Sequence, residues 1–71
     1  MMHWIVDKGI DKRGEYYRYR RANKPPTGSL VTADEIEGLS LGKAMKVLRG
    51  MYGEVWTRDG RVILCRHKEN E

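Results

Sequence analysis

The feature that most constrains the fold of this sequence is the dipeptide Asp59-Gly60, which separates two runs rich in β-branched and aromatic residues. The runs are EVWTR at 54–58 and RVILCRH at 61–67. An Asp-Gly pair accepts positive φ at both positions, as the type I′ turn of a two-residue hairpin requires. The sequence therefore predicts a β-hairpin over residues 54–66. Its register would pair Arg58 with Arg61, Thr57 with Val62, Trp56 with Ile63, and Val55 with Leu64.

A second pair of strands is predicted near the start of the chain, at residues 2–8 and 15–22, because both runs are rich in aromatic or β-branched side chains. Two glycines and an aspartate at 9–14 favour a turn between them. The following stretch at 23–29 contains both prolines of the chain, which cannot donate backbone hydrogen bonds. It predicts a loop at one edge of the fold.

The middle of the chain has helical signals. Thr32, followed three residues later by Glu35, predicts a capped first turn that ends at Gly38. Ser40 then predicts the N-cap of a helix at 41–51. Apolar side chains share one face of this helix: Leu41, Ala44, Met45, Leu48 and Tyr52, with Met51 at the edge.

These elements predict one α+β domain over residues 1–71, ending in a frayed tail at 68–71. The order is ββαββ, with one helix packed on a four-stranded antiparallel sheet. A chain of 71 residues is too short for a large enclosed active site. The single cysteine excludes an internal disulfide and favours a reducing compartment. Without a long apolar run or a secretory signal, we expect a cytoplasmic protein that does not enter a membrane.

Charge favours a polyanionic partner. The chain has 14 Lys and Arg against 10 Asp and Glu, a formal net charge of +4. The excess lies in two basic segments, 1–24 and 43–71, which flank an acidic one at 25–42. A nucleic acid would bind such a surface through phosphate contacts that release counterions. The alternative is that the charge only keeps a small protein soluble.

The run YYRYRR at 16–21 combines arginines with tyrosines. Side chains alternate along a strand, so Tyr16, Arg18 and Arg20 share one face. Tyr17 and Tyr19 lie on the other face and are expected in the core. Guanidinium groups match phosphate oxygens, and bases stack on tyrosine. An ordinary solvated sheet face, or a protein interface, would use the same residues.

Two further basic groups complete the candidate surface. Arg58 and Arg61 would lie side by side at the hairpin tip, and Lys43, Lys46 and Arg49 form a stripe on the helix. Both are also typical of plain solvated surfaces. The candidate residues for binding nucleic acid or another partner are Tyr16, Arg18, Arg20, Arg21, Lys43, Lys46, Arg49, Arg58 and Arg61.

Metal or catalytic chemistry is not expected. His3, Cys65 and His67 are the only soft-ligand candidates, and they lack the paired spacing of a zinc site. The sequence also lacks a Ser-His-Asp order, a phosphate-cradling glycine motif and an HExxH motif. We therefore predict no metal, no cofactor and no enzymatic activity, and interpret Cys65 as a small buried hydrophobic residue.

Two segments resemble known families. VTADEIEGLSLGKAMKVLRG at 31–50 resembles a bacterial helix-turn-helix, with the Asp-Gly hairpin as its wing. Over 31–64 this resemblance implies a winged-helix DNA-binding regulator. Residues 39–66, with a Leu-Ser-x-x-x-Ala helix, a Val-Trp strand and the hairpin, are similar to small phage-encoded accessory proteins, including anti-CRISPR proteins. That resemblance implies a non-catalytic inhibitor of a host protein complex.

The main expectation is a small basic binding protein that engages nucleic acid or a nucleoprotein complex through Arg and Lys. The phage-type inhibitor, which would direct the same arginines at an acidic protein surface, is the first alternative. The winged-helix regulator is the second. Salt dependence separates phosphate binding from an apolar protein interface.

Overall fold

An antiparallel sheet with one α-helix on one of its faces forms the fold. The protein is described by a computed structural model, which covers residues 3–24, 27–28 and 31–67. The strands are β1 (His3–Asp11), β2 (Gly14–Ala22), β3 (Val31–Thr32), β4 (Glu54–Arg58) and β5 (Val62–Arg66), and the helix is α1 (Leu41–Arg49). In the sheet they lie in the order β3-β1-β2-β5-β4. The predicted α+β class, with one helix and an antiparallel sheet, is confirmed for these residues.

The described residues form a sheet of five strands, so the predicted number of four is wrong. The additional strand is β3, where Thr32 pairs with Ile5 of β1. Ala33 extends the pairing, since its N–H donates to the carbonyl of Trp4 at 2.8 Å. Thr32 therefore does not cap a helix. The 3-10 turn that follows at Asp34–Ile36 has no side-chain cap. Pairing satisfies backbone groups on the edge of β1, which the capping interpretation left open.

The first hairpin is longer than predicted, because its strands extend into the segment assigned to the turn. Asp11 pairs with Gly14, and only Lys12 and Arg13 lie between them. Gly14 has a φ of +114°, a conformation that glycine accepts without strain. Residue 2, residues 25, 26 and 29 of the predicted loop and the tail predicted at 68–71 lie outside the described residues.

The second hairpin turns at Asp59-Gly60, as predicted, with φ of 56° and 66° at the two positions. The predicted register is wrong by one residue. Arg58 pairs with Val62, and Trp56 pairs with Leu64. The reason is that Arg61, whose N–H donates to the carbonyl of Arg58 at 3.2 Å, stays in the turn instead of joining the strand.

Helix α1 forms as the sequence predicts, although it ends two residues earlier than expected. The hydroxyl of Ser40 accepts a hydrogen bond from the N–H of Lys43 at 3.5 Å. At the other end the N–H of Gly50 donates to the carbonyl of Val47 at 3.0 Å. The helix buries Ala44 and Leu48 fully against the sheet.

The core lies between α1 and one face of the sheet. Trp4 is fully buried, and its indole N–H donates to the carbonyl of Leu39 at 2.9 Å. The hydroxyls of Tyr19 and Tyr52 lie 2.7 Å apart, and burial raises the pKa of both. In the described part of the chain, no helix has the length and apolar character needed to cross a membrane. The buried cluster consists of Trp4, Tyr19, Ala33, Ile36, Ala44, Leu48, Ile63 and Cys65.

Candidate functional site

The sheet face opposite α1 is the candidate site, and we call it the open face. Directly paired residues of antiparallel strands point to the same side, so the register defines this face. Among the described residues, no helix lies on it. The residues on it include Ile5, Asp7, Gly9, Asp11, Tyr16, Arg18, Arg20, Glu54, Trp56, Arg58, Val62, Leu64 and Arg66.

The alternation predicted for the second strand is present. Tyr19 is buried and Tyr17 packs against the core, whereas Tyr16, Arg18 and Arg20 lie on the open face.

The sheet also brings Arg58 to the open face. Arg20 pairs with Val62, which pairs with Arg58, so the two arginines share one row across three strands. At about 4.8 Å per strand, their backbones lie about 10 Å apart. Arg61 is exposed in the turn next to this row and is not opposite Arg58, as the predicted register had it. The remaining arginine of the run, Arg21, points to the helix side, with its guanidinium 5.3 Å from the centre of the Trp4 ring.

A carboxylate that the sequence interpretation missed holds the two strand arginines. Arg18 contacts Asp7 with two hydrogen bonds, Nε to Oδ1 at 3.1 Å and Nη2 to Oδ2 at 2.8 Å. Arg20 approaches the same carboxylate at 3.6 Å. These contacts lower the pKa of Asp7, and Asp7 raises the pKa of Arg18. Both arginine side chains keep about two fifths of their surface exposed, so they are oriented and still accessible.

Arg66 organises the aromatic part of the open face. Its buried guanidinium donates to the carbonyls of Gly14 and Glu15, both at 3.2 Å, and to Asp11 Oδ2 at 2.7 Å. This hydrogen bond lowers the pKa of the Asp11 carboxyl. The same guanidinium lies 5.8 Å from the Tyr16 ring centre and 5.9 Å from the Trp56 ring centre. Both rings, which are partly exposed, are thus positioned around one fixed cation.

Ion pairs divide the open face into a neutralised part and a cationic part. Each carboxylate on it has one arginine within 2.8 Å: Asp7 has Arg18, Asp11 has Arg66, and Glu54 has Arg13 of the first turn. Arg20 only shares Asp7, and Arg58 has no ion pair within the described residues. The excess positive charge is therefore concentrated in the Arg20–Arg58 row.

An open concavity of about 110 Å³ lies beside this row. Leu64, which is buried, belongs to its lining together with the Tyr16 and Trp56 rings. Arg58 and Asp11 complete the lining. A surface depression with two aromatic walls and charged groups of both signs suits a small planar ligand.

The helix stripe is a separate surface. Lys43, Lys46 and Arg49 are exposed on α1, which covers the opposite face of the sheet. The structure therefore does not join them to the strand arginines. Val47 and Met51 lie beside this stripe and are 38% and 47% exposed.

The three soft-ligand candidates have other contacts. Cys65 is fully buried, and burial raises the pKa of its thiol to about 12. His3 Nδ1 lies 3.1 Å from Glu37 Oε1, and the His67 ring lies 4.8 Å from the Tyr52 ring. Within the part of the chain that the structure describes, no group of three His, Cys, Asp or Glu side chains is placed to hold a metal ion.

The sequence interpretation missed several functional candidates on the open face. The predicted register set Trp56 opposite Ile63, whereas the structure pairs Trp56 with Leu64 on the open face. Asp7 can be recognised as the partner of Arg18 only when β1 and β2 are paired through the Lys12-Arg13 turn, because this register sets the two residues opposite each other. That pairing was the available signal, because opposite charges favour directly opposed positions.

Comparison of the chain with protein-family models, with curated proteins and with solved structures finds no match.

Proposed function

We propose that this protein binds single-stranded nucleic acid on the open face of its sheet. The observation that carries the proposal is the joint presence of two partly exposed aromatic rings and an unbalanced arginine row on one uncovered face. In this proposal Arg20 and Arg58 contact phosphates, while Tyr16 and Trp56 stack with bases. The function involves no catalytic step and no cofactor, and it implies a cytoplasmic location, where nucleic acid is available.

The arginines support phosphate binding by their geometry as well as their charge. A guanidinium donates two parallel hydrogen bonds to phosphate oxygens. Arg18 is committed to Asp7, so Arg20 and Arg58 are the groups with donors left for a ligand. Arg61 lies next to the row and adds charge without a fixed position in the strand.

The aromatic rings support a single-stranded ligand over a duplex. In a duplex the faces of the bases are covered by their neighbours, whereas an unpaired base offers its face to a protein ring. Tyr16 and Trp56 lie on a sheet surface, which suits splayed bases better than a groove of a double helix. A nucleoprotein complex with an exposed single strand would present the same ligand.

The test is fluorescence anisotropy with a labelled single-stranded oligonucleotide over a range of salt concentrations. We compare Arg20→Gln with Arg58→Gln against a control of equal charge change on α1, Lys43→Gln with Lys46→Gln. The sheet double variant should lower the magnitude of the log–log salt slope by about 1.4, because each single-strand phosphate contact contributes about 0.7. Tyr16→Leu and Trp56→Leu should each weaken binding by about 1–3 kcal/mol.

The control variant shows whether nucleic acid binds on the open face or on α1. If the helix variant weakens binding and the sheet variant does not, the nucleic acid binds on α1 and the proposal for the open face is wrong. If the parent protein binds neither single strands nor duplex, nucleic-acid binding itself is refuted. Circular dichroism of each variant shows that the loss is not due to unfolding.

A second candidate is a protein partner with an acidic surface, as a phage-type inhibitor would have. The observation that favours it is the exposure of two apolar residues, Val47 and Met51, beside the basic stripe of α1. Exposed apolar side chains next to a polar rim are typical of protein interfaces. Capture of a host protein complex should then survive nuclease treatment and be lost in Val47→Asp. Loss of capture on nuclease treatment alone would instead favour nucleic acid.

A further inference from the structure

We infer that the concavity between Tyr16 and Trp56 receives one nucleobase and prefers guanine, with Asp11 as the hydrogen-bond acceptor. This inference rests on the proposed function and adds a base preference to it. The five residues that line the concavity supply a floor, two aromatic walls, a cation and a carboxylate.

The register places the two charged groups at opposite ends of the concavity. Arg58 pairs with Val62 on β5, and Leu64 lies two residues further along that strand. Asp11 pairs with Gly14 beside the first turn, beyond the position of Tyr16 on β2. A nucleotide whose phosphate contacts Arg58 therefore extends its base over Leu64, with the outer edge of the base toward Asp11.

The Asp11 carboxylate has acceptor capacity left for a ligand. Its Oδ2 accepts from Arg66 at 2.7 Å, and its Oδ1 accepts from the N–H of Arg13 at 2.8 Å. Each carboxylate oxygen accepts about two hydrogen bonds, so one position remains on each. Almost half of the side-chain surface is exposed, at 47%. The existing hydrogen bonds fix the orientation of the carboxylate and leave acceptor positions available to a ligand.

The chemistry of a carboxylate selects among the bases. It only accepts hydrogen bonds, so it needs donors on the ligand. Guanine presents two adjacent donors on its Watson–Crick edge, N1–H and the 2-amino group. Adenine and cytosine have one amino group beside an acceptor nitrogen, and uracil has one N–H between two carbonyls. Only guanine matches both free positions of Asp11 without an opposing acceptor.

The size of the concavity limits it to one base. A cavity of about 150 Å³ lined by apolar side chains holds a benzene ring. The present volume of about 110 Å³ is open to solvent on one side, so a planar ring can lie partly inside it.

The experiment uses short oligonucleotides of one length and charge that differ only at the central base: guanine, adenine, uracil or hypoxanthine. Hypoxanthine lacks the 2-amino group and is otherwise guanine, so it removes one hydrogen bond without any change to the protein. We expect guanine to bind about tenfold more tightly than uracil, and hypoxanthine to lose about five- to tenfold relative to guanine. Asp11→Asn should abolish the preference, while the control Asp34→Asn, an exposed carboxylate on the 3-10 turn, should keep it.

The outcomes separate this inference from the proposed function. Equal affinity for all four central bases overturns the guanine preference and leaves single-strand binding intact. Failure of every oligonucleotide to bind refutes both. If Asp11→Asn does not fold, the guanine–hypoxanthine comparison on the unaltered protein still decides, because equal affinity there contradicts the role of Asp11.

Discussion

Leu48→Ala is expected to remove much of the stability of this protein. Leu48 is fully buried in the cluster that joins α1 to the sheet, together with Trp4, Ile36 and Ile63. The substitution deletes three carbon atoms, and at about 0.8 kcal/mol each the lost transfer free energy is about 2.4 kcal/mol. The cavity left behind adds a term that depends on how far the helix relaxes, so we expect about 2–4 kcal/mol in total. A chain of this size has about 4–10 kcal/mol available.

Urea unfolding followed by tryptophan fluorescence measures the effect, with Val47→Ala as the matched control. Val47 is the neighbouring residue on α1, but its side chain is partly exposed, so its truncation should change the free energy of unfolding by less than about 0.5 kcal/mol. In a thermal melt, a loss of about 3 kcal/mol corresponds to a decrease in Tm of about 12–24 °C. Equal stability of the two variants would show that α1 does not pack on the sheet through Leu48.

Three further predictions concern the sheet. A Cβ at Gly9 would clash with the ring of Tyr16, so Gly9→Ala should displace that ring and weaken oligonucleotide binding about tenfold while the protein stays folded. Unchanged affinity would refute a stacking role for Tyr16. Because burial raises the pKa of Cys65 to about 12, Ellman's reagent should label the thiol only as urea unfolds the protein, and rapid labelling of the native state would contradict this. Arg18 lowers the pKa of Asp7, so this contribution to stability is complete above the ordinary value of 3.8 and is lost as the pH falls below it. Between neutral and acidic pH, the free energy of unfolding measured by urea titration should fall less for Asp7→Asn than for the parent protein. Parallel curves of this free energy against pH would refute the role of the pair.

The parts of the fold that sequence could predict are those set by local chemistry. Asp59-Gly60 determines a turn through its own φ preferences, and Ser40 determines a helix start through one side-chain hydrogen bond. Neither needs a distant partner. The predicted register of the second hairpin is wrong because nothing in the sequence distinguishes Arg61, which lies in the turn, from a residue of the strand. A difference of one residue changes which side chains lie opposite each other.

Non-local pairing accounts for what the sequence did not predict. β3 consists of two residues, and its strand character comes from the free edge of β1, about 25 positions away, not from its own propensity. The candidate site also depends on non-local strand pairing. Alternation alone could assign Tyr16, Arg18 and Arg20 to one face. Arg58 lies on the same face only because β2 pairs with β5, which the sequence did not predict.

The strand order has a kinetic consequence. β1–β2 and β4–β5 are local hairpins, which form in about 1–10 μs as isolated units. The junction that unites them, with Tyr19 opposite Ile63, closes a long stretch of chain that includes α1. Its loop-closure entropy must be overcome before the core contacts form, so we expect this docking step to limit the folding rate. Because the hairpins form before this step, substitutions that destabilise either hairpin turn or the junction should slow folding.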